Sequence, residues 1–131
     1  MAITSIIPIP EKVDKGKQDL KKTIEENPVA ISTASKDGKP NIAVAAYVKI
    51  KDGRIVITDN YMKKTIENIK ENRKISLAVW NKEWKGWKIE GEADYFTEGD
   101  WMDFCKAIPE NKNEACRGAL VVTPLDTREI G

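Results

Sequence analysis

Apolar positions along this chain recur every second residue in most segments and every third or fourth in a few, and the change of period marks out the elements. Leu20 and Ile24, with Val13 before them, give a narrow helical stripe that runs from a candidate cap at Asp14 to about Asn27, where Pro28 ends it. The run 29–33 reads as a strand, and Ser35-Lys36-Asp37-Gly38-Lys39-Pro40 as a tight connection around Asp-Gly. Residues 41–50 alternate over their whole length: Ile42, Val44, Ala46, Val48 and Ile50 form one face, with Asn41, Ala43, Ala45, Tyr47 and Lys49 opposite. That pattern predicts one uninterrupted strand whose first set faces the core. Lys51-Asp52-Gly53 then turns into a strand over 54–58, which completes an antiparallel meander.

A helix over 61–71 follows, with Met62, Ile66 and Ile69 on one face. Strands over 74–81 and 87–96 flank a loop at 82–86. Thr97, with Asp100 in the capping-box position, predicts the start of a helix that presents Trp101, Phe104, Cys105 and Ile108 together and stops before Pro109. A polar loop at 110–114 leads to a closing strand over 119–125. About six strands in succession and three helices predict an α+β, mainly antiparallel fold, a six-stranded β-barrel with capping helices. One domain spans 1–131, and Ile6-Ile7-Pro8-Ile9-Pro10 within 1–14 reads as an extended arm, since its prolines bar regular helix.

Composition narrows the chemistry. With 131 residues the chain can bury about two-thirds of its unfolded surface around one core. Its 22 basic and 21 acidic residues give a net charge of +1, which argues against nucleic acid as the main partner. The start lacks a cationic segment followed by an apolar run, and no window is long enough to span a membrane; a cytoplasmic protein is the expectation. Cys105 and Cys116, outside any CxxC, are expected as reduced thiols. There is no histidine, which removes a Ser-His-Asp triad and every histidine-based metal site. Difficult chemistry would have to come from a bound cofactor.

Three constellations stand out. Lys63 and Lys64 fall at the start of the 61–71 helix, beside the partial positive charge that favours anions there. With Thr58 at the preceding strand end and Thr65 in the first turn, they read as a phosphate site. They read equally as a solvated helix whose lysines pair with Glu67 and Glu71. Alanines are unusual in a strand, so Ala43 and Ala45 leave room for a flat ring, or for a packed helix or second subunit. Trp80, Trp84 and Trp87 cluster around one loop, where Trp84 and Trp87 are hard to bury; an interface, a ring-stacking site and core filling all remain open.

The order of these segments carries a resemblance. KDGKPN, the alanine-rich strand, DGRIVITDN, KKTIENIKENRKISLAV and GWKIEGEADYF follow one another over about seventy residues. This order resembles the FMN-binding split-barrel family related to pyridoxamine 5′-phosphate oxidase, in its small single-domain members, over 29–96 with 119–125 as the last strand. The resemblance implies a six-stranded split β-barrel, a homodimer and two FMN molecules at the subunit interface. By position it implies Thr58, Lys63, Lys64 and Thr65 at the phosphate, and Ala43, Val44, Ala45 and Ala46 along the ring. It also implies cross-subunit contacts from the segment holding Trp80 and Trp87. The implied activity is that of an FMN-dependent oxidoreductase or electron carrier, with NADH or NADPH as a candidate donor. A flavin store, or a split barrel for haem or a deazaflavin, is the alternative. Oxidation of pyridoxamine phosphate itself is not expected, because those oxidases use catalytic Arg and His residues in a C-terminal extension and this chain has no histidine.

Overall fold

A computed structural model describes residues 15–130; the expected arm at 1–14 and the candidate cap at Asp14 lie outside the described residues. Helix α1 (Lys15–Glu26) gives Leu20 and Ile24 to the core, and Asn27 closes its end by donating from Nδ2 to the Thr23 carbonyl at 3.0 Å. Strands β1 (Val29–Ala34) and β2 (Pro40–Ala45) form the first hairpin, with Gly38 at φ 91 in the turn. Strands β3 (Val48–Lys51) and β4 (Arg54–Asp59) form the second. Its central pair, Asp52 at φ 51 and Gly53 at φ 72, takes the doubly left-handed turn whose twist matches the strands. Helix α2 (Lys64–Glu71), β5 (Lys74–Trp80), β6 (Gly86–Phe96), α3 (Asp100–Lys106), a 3₁₀ turn (Pro109–Asn111) and β7 (Gly118–Ile130) complete the order.

All strands belong to one antiparallel sheet, ordered β2-β1-β5-β6-β7-β4-β3. Its two outermost strands, β2 and β3, are consecutive in the chain and are linked only by Ala46 and Tyr47. Two linking residues cannot carry the chain much beyond about 10 Å. The sheet must therefore curl until its edges nearly meet, without pairing. That is a split barrel, with seven strands where six were expected, because the single strand predicted over 41–50 is broken in the middle. The predicted meander is corrected with it: β2 pairs with β1 and β3 with β4, and the two hairpins sit at opposite edges.

The break also reverses the faces. Ala43 and Ala45 of β2 point toward the main core, as do Val48 and Ile50 of β3. Ile42 and Val44, expected inside, are 73% and 67% exposed. The barrel interior is filled by Val29, Ile31, Ile55, Ile57, Leu77, Val79, Ile89, Leu120 and Val122, and α1 and α2 contribute Leu20, Ile24, Ile66 and Ile69. A second cluster outside the barrel wall joins Val56, Ala119 and Val121 to Cys105 of α3, with Trp101 and Phe104 against it. Helix α3 starts two residues later than a cap at Thr97 suggested. Gly99, at φ 88, supplies the turn, and no side chain caps it. Both cysteines are free thiols, as expected.

Candidate functional site

The chain leaves β4 through a turn that is locked before the helix begins. Asp59 is buried, and its Oδ1 accepts the Met62 N–H at 2.7 Å while Oδ2 accepts the Tyr95 hydroxyl at 2.6 Å. Burial, and then the Asp59 carboxylate, hold the Tyr95 phenol well above its ordinary pKa. Asn60 donates to the Ala115 carbonyl at 2.6 Å and to Asn111 Oδ1 at 3.3 Å, so the loop ahead of β7 is tied to the same turn.

Helix α2 then starts without a cap. Lys63 occupies the cap position with no side-chain hydrogen bond, and the first amide to bond back is that of Glu67, to the Lys63 carbonyl at 3.1 Å. The N–H groups of the first turn, at Lys64, Thr65 and Ile66, remain for an outside acceptor. The helix dipole favours an anion as that acceptor. Lys63 and Lys64 are exposed, and Lys64 reaches Glu67 at 3.7 Å, an exposed i,i+3 pair worth a few tenths of a kcal/mol. Glu71 accepts the Lys36 N–H at 3.3 Å and forms no pair with either lysine.

This helix start opens on the end of β2. A cleft of about 480 Å³ is lined by Ala43, Val44, Ala45 and Ala46 on one side and by Thr58, Lys63, Lys64 and Thr65 on the other. Eight expected site residues therefore share one cavity. Asn41 ties the two walls, donating from Nδ2 to Thr65 Oγ1 at 3.3 Å. Thr58 is buried and already engaged: its Oγ1 accepts from Asn111 Nδ2 at 2.6 Å. The cleft also takes in Tyr47, Asn60, Tyr61, Met62 and Glu114, none of which the sequence reading had singled out for the site. Tyr61 is largely exposed beside it. A flat body against the alanines with an anionic end at α2 matches this division of the walls.

The tryptophans do not line this cleft. Trp87 faces inward from β6, opposite Val79, and packs half-buried on the main core beneath α1, which corrects the expectation that it is hard to bury. Trp80 points outward and stacks on Trp84, with ring centroids 6.5 Å apart and planes 7° from parallel. Trp84 sits at φ 65, a region bulky residues rarely enter. The turn tolerates it because Asn81 Oδ1 accepts from both Glu83 N–H (2.9 Å) and Lys85 N–H (3.1 Å).

A split barrel whose cleft joins a strand end of small residues to an uncapped, lysine-bearing helix start defines a recognisable class. The family described as pyridoxamine 5′-phosphate oxidase matches residues 17–130, and this chain belongs to it. An uncharacterized protein of Methanocaldococcus jannaschii is 36% identical over 117 residues, covering 86% of this chain and 78% of its own length. Among solved structures, HupZ of Group A Streptococcus superposes with a TM-score of 0.79 at 22% identity, covering 86% of this chain and 92% of that one. An FMN-binding protein of Syntrophomonas wolfei superposes at 0.68 and 18% identity, covering 87% and 88%. The same fold occurs in an F420 reductase (0.68, 16% identity, 88% and 98%) and in the heme storage protein HutZ of Vibrio cholerae (0.67, 10% identity, 91% and 94%).

Proposed function

We propose that this protein is an FMN-binding flavoprotein that acts as a homodimer, with the flavin held where two subunits meet, and that it serves as an oxidoreductase or electron carrier. One observation carries the reading: an uncapped, lysine-bearing helix start and a strand end of small residues converge on a single cleft. The residues fit the group. The first-turn amides of α2 with Lys63, Lys64 and the Thr65 hydroxyl suit a phosphate, and the run Ala43, Val44, Ala45 and Ala46 leaves space for a tricyclic ring. Because β2 is an edge strand, one side of its backbone is free to bond the polar edge of such a ring. Thr58 contributes through Asn111, by fixing the end of β4 beneath the helix start.

FMN would supply hydride or electron transfer; this chain would bind and orient it and exclude water from its face. A second copy laid on the outward face of β2, β1 and β5 would cover the open side of the cleft. The structural neighbours that bear on the alternatives include a heme storage protein and an F420 reductase. A histidine-ligated haem has no ligand among the 131 residues, and the same lack of histidine separates the chain from pyridoxamine phosphate oxidation. The deciding experiment is the absorption spectrum of the purified protein, with the mass of whatever denaturation releases. A two-band flavin spectrum and the mass of FMN are the expected result. A deazaflavin or haem spectrum, or colourless protein that takes up no added FMN, would overturn the reading.

A further inference from the structure

Asp59 is an unusual neighbour for an anion site. It is 1% exposed, and it lies in the turn that delivers the chain into α2. The helix dipole favours a carboxylate near a helix start, and one within reach of the first amides can accept from them. Here it is used one turn upstream. Oδ1 takes the Met62 N–H at 2.7 Å, Oδ2 takes the Tyr95 hydroxyl at 2.6 Å, and the Asp59 carbonyl accepts the Arg117 N–H at 2.8 Å. Tyr95 reaches it from β6 only because residue 118 is glycine; a Cβ there would fall on the phenol ring. The carboxylate is thus fixed by the turn and by β6, the backbone of Asp59 is held by Arg117 just ahead of β7, and the charge is satisfied by donors other than those of α2.

Two consequences follow for the cleft. The turn at 59–62 is closed, so the axis of α2 and the direction of its first amides are set by a side chain that does not itself line the cleft. Those amides also stay open to an outside acceptor, because the Asp59 carboxylate just ahead of the helix is tethered elsewhere. We propose that Asp59 and Tyr95 are positioning residues that aim the α2 start at a phosphoryl group, and so let the site distinguish a phosphorylated flavin from the same flavin without its phosphate. This rests on the flavin reading above.

The test compares FMN with riboflavin, by fluorescence titration of the full chain, in wild type, Asp59→Ala, Asp59→Asn and Tyr95→Phe. In Asp59→Ala the FMN dissociation constant should rise about tenfold or more, the scale of a lost charge-assisted bond, while that of riboflavin stays as in wild type. Asp59→Asn should restore FMN binding. Its amide can still accept from Met62 N–H and can donate to the Tyr95 oxygen. Tyr95→Phe should shift FMN alone, in the same direction and less far, and carries the test if Asp59→Ala does not fold. Equal losses for both flavins, or no loss for either, would overturn the inference and leave the flavin reading standing. A wild-type chain that takes up neither flavin would overturn both.

Discussion

Lys64 carries its charge where the helix dipole disfavours it, and its one ion pair among the described residues is an exposed contact with Glu67 at 3.7 Å. Replacing it should therefore cost the fold almost nothing and cost ligand affinity more. Lys64→Ala is expected to weaken FMN binding about tenfold, the low end for a charge-assisted bond, because the side chain is more than half exposed. Titration with FMN checks this, and an unchanged affinity would remove Lys64 from the site. Cys105 makes a different prediction. Burial, opposed by a hydrogen bond with Thr58, pushes its thiol up to about 11. An unfolded thiol ionises near 8.5, so between those values the unfolded chain has lost a proton that the folded chain keeps. Stability from this group is complete below about pH 8.5 and falls as pH rises toward 11. Urea midpoints at about pH 8 and about pH 10.5 should fall less in Cys105→Ala than in wild type; identical falls would show that the thiol is not held protonated. At this scale the lysines and Thr65 were legible in the sequence because their oddity is local. Asp59–Tyr95 and Thr58–Asn111 were not, since 36 and 53 residues separate the partners and nothing in either segment marks the other.

Between residues and elements the sequence was most misleading where its pattern was most regular. From Ile42 through Val44, Ala46 and Val48 to Ile50 the alternation never falters, and no glycine or proline interrupts it. The chain nevertheless breaks at Ala46–Tyr47, and two linking residues shift the inward set from odd to even positions. A one-residue offset turns every side chain over. Ile42 and Val44 are thus apolar for a reason other than the barrel core. The hairpin turns were readable from Asp37-Gly38 and Asp52-Gly53, where left-handed φ angles select the residue type. The start of α3 was not, because Thr97 offers a cap that the backbone at Gly99 makes unnecessary. The inward turn of Ala45 makes the element-level prediction sharper. Ala45→Leu places three extra carbons between β2 and α2, where the cleft narrows toward the core. Flavin uptake should be lost, with about 1–3 kcal/mol of overpacking strain in the apoprotein. Circular dichroism and thermal unfolding would report the second effect, and a fully FMN-loaded variant would show that the ring lies elsewhere on β2.

For the whole molecule, the outward face of β2, β1 and β5 is the feature still without a partner. Register sets Val44, Ala30 and Ala78 in one row and Ile42, Ser32 and Ser76 in the next, with Trp80 and its stacked Trp84 at the border. Large apolar side chains exposed among small ones on a sheet face are the composition of a surface that another surface covers. The proposed homodimer would cover it, and a two-fold contact would use each residue twice. Sedimentation should then give a species near twice the 14.7 kDa chain mass. Ile42 is the position to test, because it lies on this face and outside the residues that line the cleft. In Ile42→Glu each copy would bring one carboxylate into the contact, and burying each unpaired would cost several kcal/mol. The dimer should dissociate over a hundredfold more readily, and FMN affinity should fall with protein concentration as the cleft loses its second wall. An Ile42→Glu protein that remains a dimer would place the contact on another face. A monomer that binds FMN as tightly as wild type would mean that one subunit holds the flavin alone, and the apolar face of β2 would then serve some other partner.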